Sequence, residues 1–126
     1  MTPQAFAKAA LALPGATHQV QWGDEQVYKV GGKMFAVTDA AASRVSLKVS
    51  DIAFEALTET GRARSAPYLA RAKWVQFEDL AALDADEVAD WLRSAHALVA
   101  AKLTRKARRE LGLEDAPPQG ELRQRR

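Results

Sequence analysis

The most informative segment of this chain for its fold is Val27-Tyr28-Lys29-Val30-Gly31-Gly32-Lys33-Met34-Phe35-Ala36-Val37. Two β-forming segments flank a pair of glycines, which supply the positive φ angles that a tight hairpin turn needs. If these two glycines are the whole loop, Val30 lies opposite Lys33 and Tyr28 lies opposite Phe35. Directly opposed residues share a face of the sheet. One predicted face carries Tyr28, Phe35 and Val37. The other carries Val27, Lys29, Met34 and Ala36.

Three more segments have strand patterns. Short strands are expected around residues 17–21 and over residues 73–77. Residues 44–49 alternate cleanly between polar and apolar side chains, which is typical of a strand with one buried face and one wetter face. The inward positions there are Val45, Leu47 and Val49, and the outward positions are Arg44, Ser46 and Lys48.

Each predicted helix begins beside a residue that suits an N-cap. The expected helices run over residues 3–13 after Thr2, over about 52–60 after Ser50 or Asp51, and from Asp84 past Leu103 into a basic segment closed by Gly112. In the second helix, Ile52, Phe54 and Leu57 are the candidates for the core. We therefore predict a single α+β domain over residues 1–112, an antiparallel sheet of about four or five strands with helices packed on one face. Residues 113–126 predict a mobile basic C-terminal tail.

Composition excludes several classes of protein and site. A chain of 126 residues, 48% hydrophobic and 27% charged, fits one globular domain. There is no Cys, and His18 and His96 are the two histidines of the sequence, which argues against Cys-ligated and multi-histidine metal sites. No apolar run reaches the ~18 residues of a membrane span and no signal-peptide pattern is present, so we expect a soluble cytoplasmic protein.

The sequence shows no motif that carries chemistry. We find no nucleophile motif, no phosphate-binding glycine loop and no metal-ligand pair, and we expect neither enzymatic activity nor a cofactor. The acidic run over residues 78–90 could bind a hard cation, but acidic residues ordinarily collect at a helix N-terminus. We prefer that ordinary interpretation and predict no metal site.

Charge is unevenly distributed along the chain. The net charge is +2, yet residues 1–92 carry −3 and residues 93–126 carry +5. Such asymmetry favours a polyanionic partner, although many proteins end in a basic helix without one.

Four blocks in order resemble the MmcQ/YjbR family, over roughly residues 3–109. The blocks are the hairpin sequence above, Val45-Ser46-Leu47-Lys48, Ala66-Pro67-Tyr68-Leu69 with Lys73-Trp74-Val75, and Ser94-Ala95-His96-Ala97-Leu98-Val99 with Lys102-Leu103. The resemblance implies a small α+β domain of CyaY-like, double-wing arrangement and a role in DNA binding. The chain departs from the family pattern at His96, where the family often has Tyr.

Two basic groups are the candidate nucleic-acid interface. Their predicted members are Lys29, Lys33, Arg44, Lys48 and Trp74 on the outer sheet face, and Lys102, Arg105, Lys106 and Arg109 on one face of the last helix. Cations meet phosphates, and an exposed aromatic ring stacks on a base. The alternatives are an ordinary solvated sheet face and cations that favour a helix C-terminus. We predict a protein that binds double-stranded DNA with low sequence specificity and has no membrane partner. The sequence leaves the oligomeric state open, and we favour a monomer.

Two rival functions remain open. The first is a small-molecule pocket lined by Trp22, Tyr28, Tyr68 and Trp74. In the structural alternative, Tyr68 packs over the sheet edge after a turn at Pro67. The second rival is a protein–protein adaptor, which needs an exposed apolar patch.

Overall fold

The computed structural model describes residues 1–67 and 72–113, which form an antiparallel sheet with helices on one face. The helices are α1 (Pro3–Leu11), α2 (Asp51–Glu59), a 3-10 helix (Leu80–Ala82), α3 (Ala85–Ala100) and α4 (Arg105–Glu110). The strands are β1 (Ala16–Gln21), β2 (Glu25–Val30), β3 (Lys33–Thr38), β4 (Val45–Lys48), β5 (Arg64–Ser65) and β6 (Trp74–Phe77). Their order across the sheet is β1-β2-β3-β4-β6-β5.

The predicted fold class is confirmed. The described residues contain six strands rather than four or five, because β5 has two residues and carries no readable pattern. Leu113, the first residue of the predicted tail, packs against the main core. The rest of the predicted tail lies outside the described residues.

Side-chain caps begin the helices as predicted. The hydroxyl oxygen of Thr2 accepts a hydrogen bond from the Ala5 amide, and Asp84 accepts one from the amide of Glu87. The last helix, however, does not run continuously into its basic end. It stops at Ala100, and Thr104 caps the separate helix α4. The basic residues therefore do not share one face of a single helix, as was predicted. Lys102 lies in the link after α3, and Arg105, Lys106 and Arg109 lie on α4.

A β-bulge changes the predicted register of the central hairpin. Gly31 and Gly32 form the turn with φ of 59° and 80°, and Val30 pairs with Lys33 as expected. Tyr28 nevertheless pairs with Ala36 instead of Phe35, because one extra residue on β3 is accommodated between the pairs. As a result, Ala36 lies in the helix-side core and Val37 lies on the opposite face, the reverse of the prediction for both.

The core has two unequal parts. The main cluster lies between the sheet and the helices, and its largest fully buried members are Phe6, Phe35, Leu47, Phe77, Leu80 and Leu92. A smaller cluster of Val27, Val37, Ala66 and Trp74 lies on the other face, with Met34 packed against it.

One predicted core residue is wrong. Ile52 is 84% exposed, whereas Leu57 is buried. These residues are five positions apart, which separates them by about 140° around the helix axis, so one face cannot bury both.

Candidate functional site

Four lysines lie at the same end of the sheet. The β2–β3 turn, the end of β4, the start of β6 and the α3–α4 link all lie there, because the strands are antiparallel and Leu103 of that link rests on Gly31. These segments carry Lys33, Lys48, Lys73 and Lys102, which we call the basic end.

Lys48 is the most confined of the four. It pairs with Trp74 across the β4–β6 ladder, and its ammonium group donates a hydrogen bond to the carbonyl of Ala72. Burial lowers the pKa of Lys48, and the charges of Lys102 and Lys73 lower it further against the opposing effect of Asp51. An anion bound here would relieve that repulsion.

Lys73 was not singled out from the sequence. Its backbone has φ of 61°, a left-handed conformation that is uncommon for a residue other than glycine, and its ammonium nitrogen lies 4.9 Å from the centroid of the Phe54 ring. Lys73 directly precedes β6, and the pairing of β6 with the end of β4 brings it beside Lys48, a contact that no local sequence pattern marks.

The basic end contrasts with the opposite end of the sheet, where acidic residues lie beside strand ends. We call that region, made of Glu25, Asp39, Glu78 and Asp79, the acidic end. Three ion pairs lie at or near it, namely Arg44–Asp39, Arg62–Glu87 and Arg64–Glu78. In contrast, none of the carboxylates in the described part of the chain forms an ion pair with the lysines of the basic end.

Helix α4 adds further positive charge near the basic end. Leu111, just after α4, lies against Gly15 at the start of β1, and Gly15 is close to Val30 at the end of β2. Lys106 and Arg109 are exposed there, and the ammonium of Lys106 lies 4.0 Å from a carboxylate oxygen of Glu110. Arg108 is partly buried and donates a hydrogen bond of 2.6 Å to the Leu103 carbonyl, so it also fixes the start of α4.

The predicted basic sheet face is not a continuous surface. Lys29 and Lys48 do lie on the face away from the helices, but the pairing of Lys33 with Val30 directs Lys33 to the helix side. Arg44 lies just before β4, at the opposite end of the sheet, and pairs with Asp39. Trp74 is only 4% exposed in the smaller core cluster, so its ring offers no surface for stacking on a base.

The structure also separates the residues of the predicted pocket. Tyr28 is buried on the helix side, edge-on to Phe6 at 5.6 Å, whereas Trp74 is buried on the opposite face. Trp22 is 64% exposed in the β1–β2 turn, and Tyr68 lies outside the described residues. Because side chains alternate across the sheet and Tyr28 and Trp74 lie on opposite faces, these two rings cannot line one cavity.

Another part of the surface does form an open groove, of about 730 Å³, beside β5. Its two arginines, Arg62 and Arg64, are already held by Glu87 and Glu78. The side chain of Gln76 also accepts hydrogen bonds from Arg64, at 2.7 and 3.1 Å.

Several residues of the acidic run over residues 78–90 have structural roles. Asp79 caps the 3-10 helix, Asp84 caps α3, and Glu87 accepts two hydrogen bonds from Arg62. Within residues 1–67 and 72–113, no group of three or more candidate ligands is arranged to hold a metal ion.

A YjbR family model matches residues 11–98 of this sequence. The chain belongs to the YjbR family. Its fold is similar to the crystal structure of Deinococcus radiodurans protein DR2400, described as carrying domain DUF419, with a TM-score of 0.79 and 27% identity over 94% of both chains. No curated protein matches the chain.

The residues matched by the family model include only part of the basic end of this YjbR chain. Lys33, Lys48 and Lys73 lie inside the matched residues, whereas Lys102 and all of α4 lie beyond residue 98. Among the helices that the structure describes, none is long and apolar enough to span a bilayer.

Proposed function

We propose that this chain is a cytoplasmic, non-enzymatic protein that binds double-stranded DNA through its basic end, with low sequence preference. The observation that carries the proposal is the convergence of Lys48, Lys73 and Lys102 at the end of the sheet that also carries Lys33. No described carboxylate pairs with any of them. Clustered cations without an ion-pair partner gain most from a ligand that carries several negative charges.

The chemistry of the basic end favours phosphates over bases. All four residues are lysines, which act as compact point charges on flexible stems and lack the planar donor fork of arginine. The nearby ring of Trp74 is buried, so it does not supply a stacking platform. Contacts of this kind position a protein on a duplex and carry no sequence information.

Salt-dependent binding to a labelled duplex of about 30 base pairs tests the proposal. If about four lysines meet phosphates, log K falls with log salt concentration with a slope of about −4. Anisotropy titrations with several unrelated sequences should give similar affinities.

Matched double variants locate the interface. Lys48→Gln with Lys102→Gln removes two charges from the basic end and should reduce the slope by about 2. Arg44→Gln with Arg93→Gln removes the same number of charges elsewhere and should leave the slope close to that of the unmodified protein. Absence of binding at about 50 mM salt, or equal losses in the two double variants, would contradict the proposal.

A further inference from the structure

Strand β1 is an edge strand without the usual protection. It is the first strand in the sheet order, and its other edge has no strand beside it among the described residues. Edge strands are normally shielded by charged residues, proline or a bulge. The sequence of β1, Ala16-Thr17-His18-Gln19-Val20-Gln21, has no Lys, Arg, Asp, Glu or Pro, and its six pairs with β2 are in unbroken register.

Exposed apolar side chains accompany this edge. Val20 is 54% exposed on the strand itself, and Trp22 is 64% exposed in the turn that follows. Trp22 also has φ of 50°, an uncommon conformation for a bulky residue. The edge therefore combines apolar surface with backbone donors and acceptors that are not paired with any described strand, the combination that accepts another strand.

We infer that β1 pairs with β1 of a second copy of this chain in antiparallel orientation, forming a twofold dimer with one continuous sheet. The distribution of charge along β1 favours a second copy of this chain as the partner, and it favours the antiparallel orientation. The first residues of β1 lie at the basic end beside α4, since Leu111 packs on Gly15, whereas the last residues lead to Asp24 and Glu25.

Antiparallel pairing sets opposite charges side by side. Asp24 and Glu25 of each copy come beside α4 of the other copy, where Lys106 and Arg109 are exposed. Parallel pairing would instead place like charges together. The twofold axis is perpendicular to the sheet, so the helices of both copies lie on the same side of it. One Val20 side chain lies on each side of the axis, at the interface between the two β1 strands.

This inference departs from the monomer expected from the sequence, and it is independent of DNA. The test is the mass of the full chain without DNA by sedimentation equilibrium, from micromolar concentrations to about 1 mM. We expect a concentration-dependent rise from 13.7 kDa toward twice that mass. A mass that stays at 13.7 kDa throughout overturns the inference.

Two variants identify the surface. Val20→Lys adds an edge charge at an exposed position and should raise the dimer dissociation constant about tenfold or more. Ile52→Lys makes the same change at an 84% exposed site on α2 and should leave the constant unchanged. A dimer that both variants weaken equally, or that neither weakens, overturns the assignment to β1.

Hydrogen exchange gives a readout that needs no substitution. The outward-facing amides of β1 should exchange more slowly at high protein concentration, while the exposed first-turn amides of α2 should not change. If the mass doubles over a range of concentrations but the β1 amides exchange at the same rate throughout that range, the pairing through β1 is overturned.

Discussion

Leu103 occupies the space directly above Gly31, and a Cβ atom built on Gly31 would lie 2.7 Å from both Cδ1 and Cδ2 of Leu103. The contact joins the α3–α4 link to the turn of the central hairpin. Because Leu103 is buried, its side chain has little space into which to move. This contact holds Lys102 and the start of α4 at the basic end of the sheet.

Gly31→Ala should therefore cost more stability than Gly32→Ala. Both glycines have positive φ, which costs an alanine about 1 kcal/mol. Only at Gly31 does the new methyl group also meet Leu103, and overpacking adds about 1–3 kcal/mol. Urea unfolding of the two variants measures the difference, and equal losses would show that the link moves away freely.

Truncation of two tryptophans should have very different effects. Trp74→Ala removes a buried ring from the smaller core cluster and should lower the free energy of unfolding by about 3–5 kcal/mol. Trp22→Ala removes an exposed ring, and its effect on the stability of the monomer should be within about 0.5 kcal/mol. Denaturation at low micromolar concentration compares them, and a large loss at Trp22 would refute its placement in solvent.

His96 should contribute through its hydrogen bond as well as its volume. Its Nε2 lies 2.7 Å from the carbonyl oxygen of Pro14, so it acts as the donor, and its ring packs edge-on to Phe35 at 5.5 Å. His96→Ala leaves that carbonyl without this donor and should cost about 2–4 kcal/mol. His96→Gln can keep a donor there and should cost less. Thermal unfolding checks the order, and an equal loss in both variants would leave packing as the whole effect.

The stability of the protein should depend on pH through Lys48. Its pKa is lowered from 10.5 in the folded chain, first by burial and then by Lys102 and Lys73. Between the lowered value and 10.5 the unfolded chain binds more protons, so stability rises with pH in that window. The unmodified protein should gain stability relative to Lys48→Gln as the pH approaches 10.5.

Lys48→Arg is the control for this pH dependence. Its guanidinium stays protonated throughout the range, so Lys48→Arg should lack the relative gain, as Lys48→Gln does. Unfolding free energies measured at several pH values test this expectation. A gain of the same size in all three proteins would place its origin in another group.

Local patterns in the sequence determined most of the elements. Thr2, Ser50 and Asp84 mark helix starts because a side-chain oxygen satisfies an amide within three residues, a purely local interaction. The glycine pair marks the central turn for an equally local reason, the need for positive φ. Alternation over residues 44–49 identified both the strand and its buried face.

The way in which these elements combine into a site depends on tertiary contacts. The bulge opposite Tyr28 and the burial of Trp74 depend on packing between segments distant in sequence, which no periodicity records. The same is true of the basic end, where Lys48, Lys73 and Lys102 meet because β6 returns beside β4 and Leu103 rests on Gly31. Charge along the sequence shows how many cations exist, but electrostatic repulsion depends on distance in space, which the strand order sets.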